Sequence, residues 1–430
     1  GDWSSDVCSS DLLNENPLQM HGVIVAYVLS VAACIPLSGW LADRFGIRNI
    51  YLSAMVIFSL ASLGCGLSQN LEQLLFFRVI QGIGGALLMP VGRLALLKLI
   101  PRSQFLSAMS LMSLAGLLGP LMGPSLGGWL VEVSTWHWIF LINIPMGILG
   151  MIMTLKVMPN QKEPTVKHFD LSGFILLMVA MVGLSLGIEN IASPQYSHWV
   201  SLSLLIVGVI ATCSYAYHAH SHQNALFHGR LFRYKLYSIG VLGNFFARLG
   251  SNAIPFLLPL MLQVAFGFEP FITGLMMIPA VLGSLFSKPI VRPLIQHVGY
   301  RRFLLTNTVL VGLCIISFSL MTAATPLWLK VLHLFIFGTL NSLQFVGMNT
   351  FTLKDLPQQD ASSGNSFLSM IMMLSMSMGV ALAGTLINTF EQHFTTATID
   401  TAFHATLITL GCINIITAIV FWQIPKDTTD

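Results

Sequence analysis

The sequence contains little charge. Only 9% of its 430 residues are Asp, Glu, Lys or Arg, whereas 55% are hydrophobic. A soluble domain carries about 25% charged residues, so this composition excludes a water-soluble globule. The six cysteines follow no CxxC or metal-ligand spacing, and we expect those within apolar runs to be buried small hydrophobic residues. The net charge of +3 gives no indication of a nucleic-acid partner, and we expect neither a cofactor nor a metal site.

Long apolar runs are present instead. Each is long enough to cross roughly 30 Å of hydrocarbon as a helix, which predicts an all-α polytopic membrane protein. We predict thirteen spans, at residues 21–41, 49–68, 73–96, 104–130, 138–157, 170–190, 199–217, 237–262, 271–289, 303–322, 327–349, 363–388 and 403–424.

The basic residues gather on one side of the predicted membrane. Threading the chain through its spans assigns seventeen of the twenty Lys and Arg residues to that side, which we call the basic side. Lys330 falls on the opposite side, and Arg78 and Arg248 fall within spans. The positive-inside rule makes the basic side cytoplasmic, and we expect a multi-pass protein of a bacterial inner membrane.

The N-terminus differs from the rest of the chain. Residues 1–12, GDWSSDVCSSDL, lack the basic region and apolar core of a signal peptide. They are similar to a translated adapter or cloning remnant, so we expect them to be non-native. The first span then enters from the side opposite the basic side, which suggests that an earlier helix is missing.

A charged turn joins the first two spans on the basic side. It comprises Gly39, Asp43, Arg44, Gly46 and Arg48. Glycine lets helices approach closely, and the carboxylate can accept from backbone N–H groups at a neighbouring helix start or pair with the adjacent arginine. The cluster is therefore a candidate conformational latch between helix bundles. The alternative is a solvated turn that carries positive-inside charges.

A second turn resembles the first one. Lys288 and Arg292 lead to Gly299, Arg301 and Arg302 in the same kind of connection. Repeated halves are the usual architecture of secondary transporters.

One predicted span carries a regular stripe of small residues. Glycines four residues apart on a helix let two backbones touch, and prolines bend the helix, so the stripe suits a sliding contact between halves or ordinary tight packing. The residues of this motif are Gly119, Pro120, Gly123, Pro124, Gly127 and Gly128.

Two arginines are predicted inside the membrane, where charge is costly and usually faces a cavity or a partner. Arg78, in a string that continues through Gln81, is close enough to the outer end of its span to reach the interface instead. Arg248, near Asn244, lies mid-span and is our candidate for a cavity charge that meets an anionic substrate or a carboxylate; a structural partner is the alternative.

Polar residues on a late span are further cavity candidates. Asn341 and Gln344 are three residues apart and share a helix face, so they either line the cavity or form hydrogen bonds between helices.

The string from Gly39 to Arg48, the Arg78–Ala86 string and GPxxGPxxGG at 119–128 together resemble the major facilitator superfamily, in particular its fourteen-span drug:proton antiporter group. The resemblance covers about residues 14–425. It implies two six-helix bundles with two extra central helices: residues 13–160, lacking the first helix, then 161–236, then 237–430.

The resemblance also implies a function. It implies a secondary active exporter of drugs or metabolites, a monomer that works by proton antiport with alternating access and has small molecules, protons and the lipid bilayer as its partners. It gives Arg78 a part in proton coupling, which must be electrostatic because a guanidinium does not release its proton near pH 7. The family places an acid on the first helix, so we expect the proton carrier to be absent here.

Histidines form one further cluster. His218, His220, His222 and His228 fall in one predicted basic-side loop, where an H-x-H-x-H run either binds a metal or is a solvated loop. His333, within a span, is a weak candidate for a proton relay.

Three functional hypotheses remain. The first is a proton-driven exporter of amphipathic drugs or metabolites. The second keeps the fold but exports a small organic anion or a metal–carboxylate chelate, with Arg248 and Arg78 as counter-charges. The third is an integral-membrane enzyme built on the histidine loop, which we disfavour because the sequence offers that loop no nearby acids. We therefore expect a transporter and not an enzyme.

Overall fold

The computed structural model describes residues 17–112, 133–163, 168–192, 197–222, 224–393 and 399–425. Within these residues the fold is helical, as predicted. The N-terminal group comprises α1 (Pro17–Cys34), α2 (Leu37–Phe45), α3 (Ile47–Gly66), α4 (Leu71–Leu99), α5 (Trp138–Leu141) and α6 (Asn143–Val157). The central pair comprises α7 (Leu171–Ala192) and α8 (His198–Ser221). The C-terminal group comprises α9 (Lys235–Ser251), α10 (Ile254–Leu260), α11 (Pro270–Val298), α12 (Tyr300–Ser317), α13 (Leu327–Leu353), α14 (Gln358–His393) and α15 (Ile399–Trp422).

The lengths of these helices fit a membrane protein. In the described residues 11 helices are long and apolar enough to span a bilayer, or up to 12 if one bent pair counts as a single span. The predicted span at 104–130 lies mostly outside the described residues, so that part of the thirteen-span prediction stays a prediction.

The bent pair is α1 and α2. Its halves, Gly22–Cys34 and Leu37–Phe45, meet at 59°. Pro36 lies at the break, directly before α2, and its missing N–H and its ring prevent a straight α-helix through this point. The bend directs α2 along the basic side of the molecule toward α14.

The central pair contacts both groups. Helices α7 and α8 pack along each other, and α7 also packs against α1 and α14. A buried apolar cluster joins all three units; it includes Ile35, Leu177, Phe227, Tyr237 and Leu368. Helix α14 additionally contacts α2 and α4, so the N-terminal and C-terminal groups meet along α14.

The two charged turns share one backbone conformation. Gly46 has φ 93° and ψ 144° and precedes α3, and Gly299 has φ 78° and ψ 155° and precedes α12. Each glycine N–H closes the preceding helix, on Ala42 O at 2.9 Å and on Ile295 O at 2.8 Å. Positive φ values are rare for residues with a Cβ atom. The turn is thus repeated in both groups, as the sequence suggests.

Two helices extend further toward the C-terminus than predicted. Helix α4 continues to Leu99 and α11 to Val298, through Pro289 and Pro293. Prolines bend a buried helix without ending it when neighbouring helices shield the freed backbone groups. Arg93 and Lys288, which the sequence analysis counts on the basic side, lie within these two helices.

Candidate functional site

Asp43 connects the N-terminal and C-terminal groups. One carboxylate oxygen accepts from Lys98 Nζ at 2.8 Å and from Ser362 Oγ, in the first turns of α14, at 2.6 Å. Lys98 also donates to Glu163 Oε1 at 2.5 Å. The prediction that Arg44 pairs with Asp43 was wrong, because Arg44 is exposed and Lys98 reaches the carboxylate from α4. The donor at the start of α14 is a hydroxyl rather than the backbone N–H that we expected.

The contact around Asp43 extends along one face of α14. Ser38 Oγ lies 2.8 Å from Ser366 Oγ, and Asn365 Nδ2 donates to Pro90 O at 2.7 Å. A Cβ atom on Gly39 would lie 2.7 Å from Ser362 O, so only glycine fits at this crossing. We call this contact the basic-side seam; it is formed by Ser38, Gly39, Asp43 and Pro90 of the N-terminal group and Ser362, Asn365 and Ser366 of α14.

The other predicted latch residues support the turn itself. Gly46 supplies the left-handed backbone described above, and Ile47 N, next to it, donates to Gln161 O at 3.1 Å. Arg48 is half-buried, and its Nε has no hydrogen-bond partner among the described residues. Arg44 and Arg48 therefore lie beside the seam but do not bridge it.

Arg78 is held inside the N-terminal group. Its Nη1 donates to Gln81 Oε1 at 3.1 Å, and Gln81 Nε2 donates to Ser62 Oγ on α3 at 2.7 Å. Its guanidinium lies 4.6 Å from the centre of the Phe140 ring and 5.7 Å from that of Tyr27, which are cation–π distances. The structure thus brings Arg78 and Gln81 together, and Arg78 contacts side chains of its own group.

Arg248 is buried within the C-terminal group. Its Nε donates to Asn244 Oδ1 at 3.2 Å, and its guanidinium lies 4.6 Å from the centre of the Phe345 ring. Asn244 Nδ2 is itself fixed by Thr352 Oγ1 and Gly240 O, both at 3.0 Å. Asn244 therefore orients Arg248 and, with both its polar atoms engaged, is not a free cavity side chain.

Arg93 is the functional candidate that the sequence analysis missed. It lies on α4, is only 2% exposed, and its Nη1 contacts Met372 Sδ on α14 at 3.4 Å. The positive charge of Arg93 repels that of Arg248 in the C-terminal group. Within the described part of the chain neither arginine pairs with a carboxylate, and Arg93 Nε and Arg248 Nη2 have no hydrogen-bond partner. The available signal was its position inside the predicted span at 73–96, where a charge is costly.

The two polar candidates on α13 do not act together. Gln344 is buried and connects α13 to α12, because it accepts from Asn307 Nδ2 at 2.7 Å and donates to Thr308 Oγ1 at 2.6 Å. Asn341 is half-buried and makes no side-chain hydrogen bond within the described residues. Gln344 thus forms hydrogen bonds between helices, and of these two residues only Asn341 stays a cavity candidate.

The histidine cluster is partly helical, contrary to prediction. His218 and His220 lie in the last turn of α8, and His218 Nε2 lies 2.9 Å from Asp170 Oδ1. The expectation that no acid is nearby was therefore wrong. Asp170 is the residue before α7 in the sequence, and in the fold it lies beside the end of α8. Burial alone would raise the pKa of Asp170, but hydrogen bonds from Gly173 N–H, His218 and Ser172 hold that pKa below its usual value.

Two further predictions concern other regions. His333 stacks on Phe318 at 4.1 Å and shares a 2.7 Å hydrogen bond with Ser317 Oγ, an arrangement that fixes its ring inside the C-terminal group. The small-residue motif at 119–128 lies outside the described residues, as do residues 1–12, so these predictions stay predictions.

Comparisons with known proteins agree with this architecture. A family model described as Major Facilitator Superfamily matches residues 10–380 and 240–429. A protein of Escherichia coli O6:H1 (strain CFT073), called "Putative multidrug resistance protein MdtD", is 49% identical over 421 residues, covering 97% of this chain and 89% of the relative. Its counterpart in Serratia proteamaculans (strain 568) is 47% identical and covers 97% and 88%.

Solved structures show the same fold at low identity. The proton:xylose symporter XylE superposes with a TM-score of 0.66 at 14% identity, covering 98% of this chain and 91% of that one. The human organic anion transporter MFSD10 gives a TM-score of 0.62 at 14% identity, covering 97% and 88%. The chain therefore belongs to the major facilitator superfamily. It is a multi-pass membrane transporter with a role in efflux, and not an enzyme.

Proposed function

We propose that this transporter is a monomeric secondary exporter of small molecules, which works by proton antiport and alternating access in a bacterial inner membrane. The multidrug-resistance names of its relatives support export of drugs or metabolites. The basic-side seam is the observation that carries the proposal. It supports the expected division into N-terminal and C-terminal bundles, with the basic side facing the cytoplasm.

The chemistry of the seam suits a gate that opens repeatedly. Its contacts are hydrogen bonds that water can replace when the two groups separate. Ser38 and Ser366 share one, Asp43 accepts one from Ser362, and Asn365 donates one to Pro90 O. Such exchange makes the closed and open states close in free energy, as an alternating-access cycle requires. The close crossing at Gly39 makes the closed state geometrically specific. Asp43 is the latch, and Gly46 supplies the backbone turn that carries it.

Proton coupling in this proposal involves the cluster of Arg78 and Gln81. The acids of the described helices lie near helix ends rather than at mid-membrane; examples are Glu72, Asp360 and Asp400, each in a first turn. A guanidinium remains protonated at neutral pH, so Arg78 acts by tuning the proton affinity of another group. The small-residue motif at 119–128 remains the proposed sliding surface of the antiporter.

Inside-out vesicles from cells that express the complete gene test this proposal. With an acidic lumen, we expect the vesicles to accumulate ethidium and to lose internal acidity in proportion. A protonophore, which discharges the pH gradient by itself, should stop the ethidium uptake. Arg78→Gln should uncouple ethidium uptake from proton release, whereas Arg302→Gln, an exposed substitution, should change neither. Uptake that is independent of the pH gradient would contradict proton antiport.

A small organic anion is the second candidate substrate, and the pair of Arg93 and Arg248 favours it. Each group contributes one buried guanidinium without a carboxylate partner among the described residues. Burying an unpaired charge is costly unless something compensates it. An anionic substrate between the groups would neutralise both charges. It would also accept hydrogen bonds from the N–H groups of both arginines that have no partner among the described residues.

Separate substitutions distinguish the two candidates. Arg93→Gln and Arg248→Gln should each abolish export of labelled succinate, a dicarboxylate probe, while ethidium export falls less than about threefold, since a neutral side chain no longer repels a cation. Arg301→Gln, which removes an arginine on the Trp422 ring, is the matched control. Succinate export that survives both substitutions would exclude the anion hypothesis.

A further inference from the structure

The segment between α8 and α9 is an ordered strap on the basic side. Connecting loops usually lie on the surface, but here Ala225, Leu226, Phe227 and Leu231 are all buried. Tyr215 of α8 fixes the segment, because its hydroxyl accepts from Phe227 N at 2.7 Å and donates to Phe227 O at 3.2 Å. We call residues 225–234 the strap.

The strap grips the basic-side end of α14 through apolar and charged contacts. The ring of Phe367 lies between those of Phe227 and Phe232, edge to face, at 5.4 and 5.3 Å between ring centres. Asp360, in the first turn of α14, accepts from Arg230 Nη2 at 2.6 Å through one oxygen.

The second oxygen of Asp360 is also engaged. It accepts from Tyr234 Oη at 2.9 Å, and this hydrogen bond raises the pKa of Tyr234. One turn further along, Tyr237 Oη donates to Gly364 O at 2.8 Å. The strap and the start of α9 therefore hold both the end and the backbone of this part of α14.

These contacts use a different face of α14 from the basic-side seam. Asp360, Gly364 and Phe367 are spaced by four and three residues, so they form one helical face, and Ser362 and Ser366 of the seam lie on another. The end of α14 is thus held between the N-terminal group on one side and the strap on the other.

We propose that Asp360 and Phe367, together with the strap, are positioning residues for the inner gate: they press the end of α14 into the basic-side seam and so set the fraction of molecules closed on that side. This rests on the alternating-access function proposed above. It gives the central pair a role in the cycle, because the strap transmits the position of α8 to the gate helix. Loosening the strap should favour the state that is open on the basic side.

Spin labels measure this equilibrium in the full chain. Labels at Ser103→Cys and Arg302→Cys, exposed positions on the basic side of the two groups, report their separation in nanodiscs after the native cysteines are replaced by serine. In the double variant Arg230→Gln/Tyr234→Phe, which removes both donors to Asp360, we expect the wide-distance population to rise about fivefold. The effect is moderate because the Arg230 side chain is 52% exposed.

Three further variants keep the test decisive. Phe232→Leu should widen the distance in the same direction without touching the charges, and Arg230→Lys should restore the wild-type distribution because it keeps a cation near Asp360. The double variant Arg292→Gln/Tyr217→Phe removes one arginine and one tyrosine hydroxyl at exposed positions elsewhere and should change nothing. All variants should melt within a few degrees of wild type, which separates positioning from unfolding.

The outcomes also separate this proposal from the function on which it rests. If Asp43→Asn widens the distance and the strap variants do not, the positioning role is wrong and the seam remains the gate. If neither Asp43→Asn nor the strap variants widen it, alternating access through this seam is wrong and the positioning role fails with it.

Discussion

The two repeated turns have the same backbone and different side chains. Gly46 and Gly299 adopt matching left-handed conformations and end equivalent helices. In the first turn Asp43, three residues before its glycine, reaches α14 of the other group; in the second the equivalent residue is Gln296, which is exposed. The repeat therefore supplies the connection twice, whereas the side chains add a gate contact to the first turn.

Gly39 gives the largest expected difference between the turns. Gly39→Val places side-chain atoms where a Cβ would already be 2.7 Å from Ser362 O, so the seam cannot close. Overpacking costs about 1–3 kcal/mol, and we expect proton-driven export to fall at least about tenfold. Arg292, the equivalent residue of the second turn, is exposed, and Arg292→Val should leave the rate within about twofold. Equal losses from both substitutions in vesicle assays would contradict the comparison.

Asp43 gives the next largest difference. Asp43→Asn keeps the shape but weakens the hydrogen bonds from Lys98 and Ser362, which should destabilise the closed seam by about 1–2 kcal/mol after allowance for partial exposure. The initial rate of export should fall about tenfold. Gln296→Glu, which places a carboxylate on the second turn, should have almost no effect; a comparable loss of rate there would show that both turns act as gates.

The two glycines of the turns should behave alike. Gly46→Ala and Gly299→Ala each force a Cβ into a positive-φ conformation, at a cost of about 1–2 kcal/mol. Both should lower the melting temperature of the purified protein, Gly46→Ala by at least as much as Gly299→Ala because its Cβ would also meet the Asn160 side chain. Gly92→Ala, in a helix with room for the methyl group, should not lower it. A drop at one turn only would mean that their backbones are not equivalent.

Much of the fold was predictable because the membrane imposes simple rules. Apolar length and the one-sided placement of basic residues define the spans, and the glycine turn predicts the repeat. The predicted helix ends were less accurate. Helix α11 continues past Pro289 and Pro293, because neighbouring helices can satisfy the backbone groups that a proline leaves without a hydrogen bond.

The site was predictable only in part. Single residues such as Arg78, Asp43 and Arg248 stand out from an apolar background, but their partners come from distant helices. Ser362 is 319 residues from Asp43, and nothing local to either residue indicates the contact. Arg93 lies inside the predicted span at 73–96 but was counted with the basic side, and its contact with Met372 of α14 is visible only in the structure.

A cysteine pair across the seam tests the gate most directly. Ser38→Cys and Ser366→Cys replace two hydroxyls that lie 2.8 Å apart on α2 and α14, in a background without other cysteines. If the basic-side seam must open in every cycle, oxidation should cross-link the two helices and stop export in vesicles, and a reducing agent should restore it. A fully cross-linked protein that still exports its substrate would contradict the account.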